Sequence, residues 1–68
     1  MGEKKYRLKY QGKWIKVKRV LGTYTYESYD DPNDVPLGTY TKVISGKSLI
    51  CEDNDIDKKD IEIVEFEI

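Results

Sequence analysis

The stretch from residue 5 to residue 18, KYRLKYQGKWIKVK, contains the strongest structural signal in the chain. Apolar and charged residues alternate on both sides of Gln11-Gly12, as expected for two strands joined by a two-residue turn. Because side chains alternate between the two faces of a strand, this turn sets the register of the hairpin. The register pairs, on the face that we assign to the core, Leu8 with Ile15 and Tyr6 with Val17.

The opposite face of the predicted hairpin is basic. In the same register Lys9 faces Trp14, whereas Arg7 faces Lys16 and Lys5 faces Lys18. Like charges directly opposite each other destabilise a strand pair. We therefore expect an anionic group to lie over this face. The residues that form it are Lys5, Arg7, Lys9, Trp14, Lys16 and Lys18.

The rest of the chain is also rich in Tyr, Thr, Val and Ile, which are favoured in β-strands, and these runs are interrupted by Gly, Pro, Asn and Asp. A hairpin around Ser45-Gly46-Lys47 is expected to join the fourth and fifth strands. The predicted fold is all-β: one domain over residues 1–68, a small antiparallel barrel of five or six strands with SH3-like or OB-like size, or a two-sheet roll. The strands are predicted near Lys5–Tyr10, Trp14–Val20, Thr23–Ser28, Thr39–Ser45, Ser48–Glu52 and Ile61–Ile68.

Composition argues against catalysis and against a bound cofactor. The 68 residues include no histidine and one cysteine, so Cys51 lacks its usual catalytic base and reads as a small buried hydrophobe. The aspartates of Cys51–Asp60 lack the glycine and the bidentate glutamate of a calcium loop, so no metal site is predicted. Without a signal-peptide pattern or an apolar run of about 20 residues, the protein is predicted to be cytoplasmic.

Charge is divided along the chain. Residues 1 to 19 hold eight Lys or Arg and one acid, whereas residues 20 to 68 hold four Lys and twelve acids. The formal net charge of −1 hides this division. A basic surface of this kind binds either an anionic partner or the acidic part of its own chain.

One hypothesis is that the basic hairpin binds nucleic acid, with cations for phosphates and Trp14 for a base. Tyr6–Lys13 resembles the opening Lys-rich hairpin of small archaeal chromatin proteins, which have an SH3-like barrel and bind the DNA minor groove. Those proteins are basic throughout and end in a helix, so we transfer none of their binding residues. The competing hypothesis is internal: the last strand pairs with the first and lays Glu62, Glu65 and Glu67 beside the hairpin.

The favoured prediction is a non-enzymatic interaction module that binds a protein partner with a basic surface. Pro32 and Pro36 stiffen an acidic loop that is expected to protrude, and tyrosine is common at protein interfaces. Such a protein could be an inhibitor or adaptor encoded by a phage or mobile element, and a homo-oligomer would bury more of so small a core. The predicted protein-binding residues are Tyr29, Asp30, Asp31 and Asp34.

Overall fold

The structure is a computed structural model that describes residues 2–68, which form an open antiparallel sheet with one helix packed on it. Helix α1 spans Tyr40–Asn54, and short 3-10 turns cover Pro32–Asp34 and Lys58–Asp60. The strand order across the sheet is β3-β2-β1-β4. The strands are β1 (Lys4–Tyr10), β2 (Lys13–Val20), β3 (Thr23–Tyr29) and β4 (Ile61–Glu67).

The predicted all-β barrel or roll, of SH3-like or OB-like type, is wrong. The edge strands β3 and β4 do not pair with each other, so the sheet stays open. Helix α1 covers one face of the sheet and supplies Ile50 and Cys51 to the core. The fold is therefore α+β, and any barrel geometry implied by the likeness to chromatin proteins is absent from residues 2–68.

The predicted register of the first hairpin is confirmed at its turn. Leu8 pairs with Ile15, and Lys9 pairs with Trp14. Gln11 and Gly12 both have positive φ, 51° and 78°, as a tight two-residue hairpin turn requires. Leu21-Gly22 makes an equivalent turn between β2 and β3.

Beyond the turn, β1 and β2 diverge. Their ladder stops at Leu8–Ile15, and Tyr6 pairs instead with Gly38 through two backbone hydrogen bonds of 2.8 and 3.0 Å. The segment before α1 thus occupies the place beside β1 that β2 has left. The divergence also separates cations that would otherwise repel each other. The predicted pairs that do not form are Tyr6–Val17, Arg7–Lys16 and Lys5–Lys18.

The two strands predicted at Thr39–Ser45 and Ser48–Glu52 are wrong, because this region is helix α1. Thr39 caps the helix, since its side-chain oxygen accepts a hydrogen bond from the Lys42 backbone N–H at 3.4 Å. Asp55 ends it in the left-handed conformation, with φ of 56°. Tertiary packing of the helix on the sheet has overridden a local composition that favours strands.

Gly46 lies inside the helix and not in a turn, and it lets the helix approach the sheet closely. A Cβ atom at this position would lie 3.1 Å from Cγ2 of Val17 on β2. The core beneath the helix consists of residues that are at most 4% exposed, namely Leu8, Ile15, Ile50, Cys51 and Ile61. Among residues 2–68, no helix is both long enough and apolar enough to span a membrane.

Candidate nucleic-acid interface

Strand alternation divides the sheet into two chemically different faces. Leu8 and Ile15 point to the helix side and are buried, so their neighbours along β1 and β2 point to the other side. We call this other side the basic face. It contains the six residues that the sequence placed together, with one addition from β4, and consists of Lys5, Arg7, Lys9, Trp14, Lys16, Lys18 and Phe66.

The hypothesis that the last strand pairs with the first is correct for the strands, since β4 pairs antiparallel with β1 along its whole length. However, Glu65 lies in the same alternation as the buried Ile61 and is therefore on the helix side of the sheet. It accepts a hydrogen bond from the Tyr6 hydroxyl at 3.3 Å and lies 4.0 Å from the Lys4 ammonium.

Glu67 follows the same alternation as Glu65, so only one of the three glutamates shares a side with the basic face. That residue is Glu62, whose Cα partner is Lys9. The pairing of β1 with β4 therefore brings a single carboxylate from β4, that of Glu62, to the side of the sheet that carries the five cations. The alternation of side chains along β4, and not the pairing of β4 with β1, decides which of these glutamates lies on the basic face.

Among residues 2–68, two ion pairs involve cations of the basic face, and both pairs are at least partly exposed. Lys5 lies 3.2 Å from Glu3, and Lys18 lies 3.7 Å from Glu27. Pairs between exposed side chains stabilise a fold by about 0–1 kcal/mol and are easily replaced by another anion. Among residues 2–68, the remaining three cations have no carboxylate within 4.0 Å; these are Arg7, Lys9 and Lys16.

Two aromatic rings lie among these cations. The Lys9 ammonium is 5.0 Å from the Trp14 ring centroid, and the Arg7 guanidinium carbon is 4.6 Å from that of Phe66. The two ring centroids are 5.6 Å apart, with an interplanar angle of 53°. Both aromatic residues are half-buried, so each combines a supported ring with partial access to solvent.

The sequence prediction missed Phe66. The signal for it was present, because Phe66 has the opposite parity to Ile61 on β4 and must therefore lie on the opposite side of the sheet. The hypothesis that pairs the last strand with the first places Phe66 beside the hairpin once this alternation is applied to it. Phe66 is the Cα partner of Lys5.

Arg7 also anchors the loop between β3 and α1. Its Nε–H donates a 2.6 Å hydrogen bond to the backbone carbonyl of Val35, which is itself only 4% exposed. The loop is thus held against the sheet at Val35, where it does not protrude as the sequence predicts. The guanidinium retains further N–H donors for another ligand.

The four predicted protein-binding residues do not form a free acidic cluster. Tyr29 is half-buried and pairs with Trp14 across the sheet, and partial burial followed by the nearby Glu27 carboxylate raises the pKa of its phenol. Asp30 forms an ion pair with Lys13.

Asp31 and Asp34 differ from each other in their local role. The Asp31 carboxylate accepts a 2.9 Å hydrogen bond from the Asn33 backbone N–H and so caps the 3-10 turn. Asp34 is exposed and lies in the first turn of the same segment. Asp30 and Asp31 therefore take part in local structure. Asp34 is the residue of this loop that is most available to a partner.

The aspartates near the end of α1 also have local roles. Asp53 accepts a hydrogen bond from the Tyr24 backbone N–H at 2.8 Å, and Asp57 accepts one from the Lys59 N–H at 3.1 Å. Within the described residues, no group of three or more Cys, Asp or Glu side chains is placed to hold a metal ion. Cys51 is buried, and burial raises the pKa of its thiol.

Comparison of the chain with protein-family models, with curated proteins and with solved structures finds no match. The functional argument therefore depends on the basic face itself: its two aromatic rings and its five cations, of which only two form ion pairs among residues 2–68.

Proposed function

We propose that this protein binds single-stranded nucleic acid through the basic face. The observation that carries the proposal is that Glu65 and Glu67 lie on the other side of the sheet, which leaves the cations of β1 and β2 available. Groups of Lys and Arg that neutralise phosphates provide most of the affinity of sequence-independent binding.

The arrangement of the cations suits a phosphate backbone. Alternate residues of a strand are about 7 Å apart, so the cations form two short rows on neighbouring strands. The rows also diverge, since β1 and β2 separate beyond Leu8–Ile15. A flexible single strand can follow such a surface more closely than a rigid duplex can.

Trp14 and Phe66 supply the second feature that suits a single strand, which is a pair of partly accessible aromatic rings. Unpaired bases stack on aromatic rings, at about 1–3 kcal/mol per base, and this stacking tolerates any sequence. In a duplex the bases are already stacked on each other, so the rings favour single strands. The cytoplasmic location predicted from the sequence is part of the same proposal, because single-stranded RNA is abundant there.

The test is fluorescence anisotropy with a labelled 12-nucleotide oligo-dT. We expect a Kd of about 10⁻⁶ M or tighter at ~50 mM salt, with a log–log salt slope between about −2 and −3.5, for three to five phosphate contacts. The Lys16→Gln/Lys18→Gln variant should bind more weakly and lose about 1.4 from the size of the slope. Trp14→Leu should weaken binding by about 1–3 kcal/mol.

The matched control is Lys58→Gln/Lys59→Gln, which removes the same net charge from exposed lysines outside the basic face. It should leave affinity and slope close to those of the unmodified protein. Equal losses in the two double variants would mean that net charge, and not the basic face, determines binding. Absence of oligonucleotide binding at ~50 mM salt would refute the proposal.

That last outcome would favour the protein-partner prediction made from the sequence. The exposed carboxylate of Asp34, in a loop fixed at its end by Arg7, is the feature that favours it. Asp34→Lys would then be the variant of choice, because the Asp31 carboxylate also caps the 3-10 turn. Its expected effect is loss of binding to a basic protein surface without loss of stability.

A further inference from the structure

The divergence of β1 and β2 opens a cleft of about 470 Å³ between the two strands, the loop and the first half of α1. Ligand pockets in proteins commonly have volumes of about 300–1,000 Å³ and are lined mainly by apolar side chains with a few polar groups. This cleft fits both criteria. Its aliphatic lining includes Leu8, Ile15, Val17, Val35, Val43 and Leu49.

The charged residues of the lining are all basic. Arg7 and Lys16 contribute from the strands and Lys42 from the helix, and the lining contains no Asp or Glu. This imbalance is informative in a chain that has more acidic than basic residues. Among residues 2–68, none of the three cations has a carboxylate within 4.0 Å.

We infer that the cleft binds a monocarboxylic acid with an aliphatic body, of the medium-chain fatty-acid class. The apolar lining removes the chain from water, and a carboxylate complements the positive charge of the lining. A neutral lipid would leave the three cations without an anionic partner. A nucleobase would place most of its polar edge against a lining that is mainly apolar, which is unfavourable.

Arg7 and Lys16 belong both to the cleft and to the basic face, whereas Lys42 belongs to α1 and lines the cleft alone. The Lys42→Gln variant therefore separates the two sites. It should weaken binding of the acid severalfold and leave oligonucleotide affinity unchanged. Lys47→Gln is the matched control, since Lys47 lies on the same helix but does not line the cleft.

The experiment is a titration of the ¹⁵N-labelled protein with decanoate, below its micelle-forming concentration, followed by amide chemical shifts. We expect saturable shifts that are concentrated at Val17, Gly38, Val43 and Leu49. Octanoate, with two methylenes fewer, should bind about tenfold more weakly. Decanol should bind more weakly than decanoate, and Lys42→Gln should reduce only the decanoate affinity.

Val43→Phe fills the cleft and should reduce the affinity for decanoate at least tenfold, with circular dichroism to show that the helix is retained. If that variant does not fold, the Lys42→Gln and Lys47→Gln pair still decides the matter. Shifts that do not saturate, or that spread over the whole surface, would overturn the inference. So would equal binding of decanol and decanoate.

Discussion

Replacing Gly46 by Ala tests how closely α1 approaches the sheet. The new Cβ atom would lie 3.1 Å from Val17 Cγ2 and 3.8 Å from Val17 Cβ. Carbon atoms in favourable contact are about 3.5–4.0 Å apart, so the helix or Val17 would have to move by a few tenths of an ångström. Added methyl groups in a packed region cost about 1–3 kcal/mol of stability.

A second effect acts in the opposite direction. Ala is favoured over Gly inside a helix by about 1 kcal/mol. With about 2 kcal/mol for the close contact, we expect Gly46→Ala to lower the free energy of unfolding by about 1 kcal/mol. For a domain of this size that corresponds to a melting temperature about 4–8 °C lower.

The two effects are separated by repeating the substitution in a Val17→Ala background. There the contact is relieved, so Gly46→Ala should raise stability by about 1 kcal/mol, giving a coupling energy of about 2 kcal/mol. Urea unfolding followed by far-ultraviolet circular dichroism measures all four proteins. An equal loss in both backgrounds would refute the reasoning, because the cost would then not come from the contact with Val17.

Two further predictions concern Leu21 and Cys51. Leu21 is fully exposed at φ of 51°, a conformation that costs a leucine about 1–2 kcal/mol, so Leu21→Asn should raise the melting temperature by several degrees in a thermal scan. A lower melting temperature would contradict this account of the turn. Burial raises the pKa of the Cys51 thiol in the folded state, so the folded state holds the proton more tightly than the unfolded state. This contribution to stability is complete below the unfolded pKa and is lost as the pH rises through the folded pKa. The Cys51→Ala variant should therefore lose less stability between pH 7 and pH 10 than the unmodified protein does. The raised phenol pKa values of Tyr6 and Tyr29 affect both proteins alike. A steeper alkaline loss in the variant would refute this assignment.

The strands of the sheet could be predicted from the sequence because their signals are local. Alternation around Gln11-Gly12 determines the register of the first hairpin, and the turn residues adopt the positive φ values that the pattern requires. The helix could not be predicted by the same reasoning. Its apolar stripe is interrupted by Gly46, which looks like a turn in the sequence but serves close packing against Val17.

The candidate site shows the same limit. The cations and Trp14 were assigned to one face from alternation alone, and the structure places them there. The sequence prediction omits Phe66 and places Glu65 and Glu67 beside the hairpin, because it does not apply the alternation of side chains to β4 once that strand is paired with β1. Where β1 and β2 diverge, Tyr6 pairs with Gly38, a long-range contact that no local pattern encodes.

The pairing of β1 with β4 also has a consequence for biosynthesis. Its partners lie 51 to 63 positions apart, from Tyr10–Ile61 to Lys4–Glu67, so β1 leaves the ribosome long before β4 does. During that interval the outer edge of β1 exposes unpaired backbone groups, which are a template for association with other nascent chains. Charged side chains on an edge strand discourage such association. The alternating cations of β1 would thus keep the growing chain monomeric until β4 arrives.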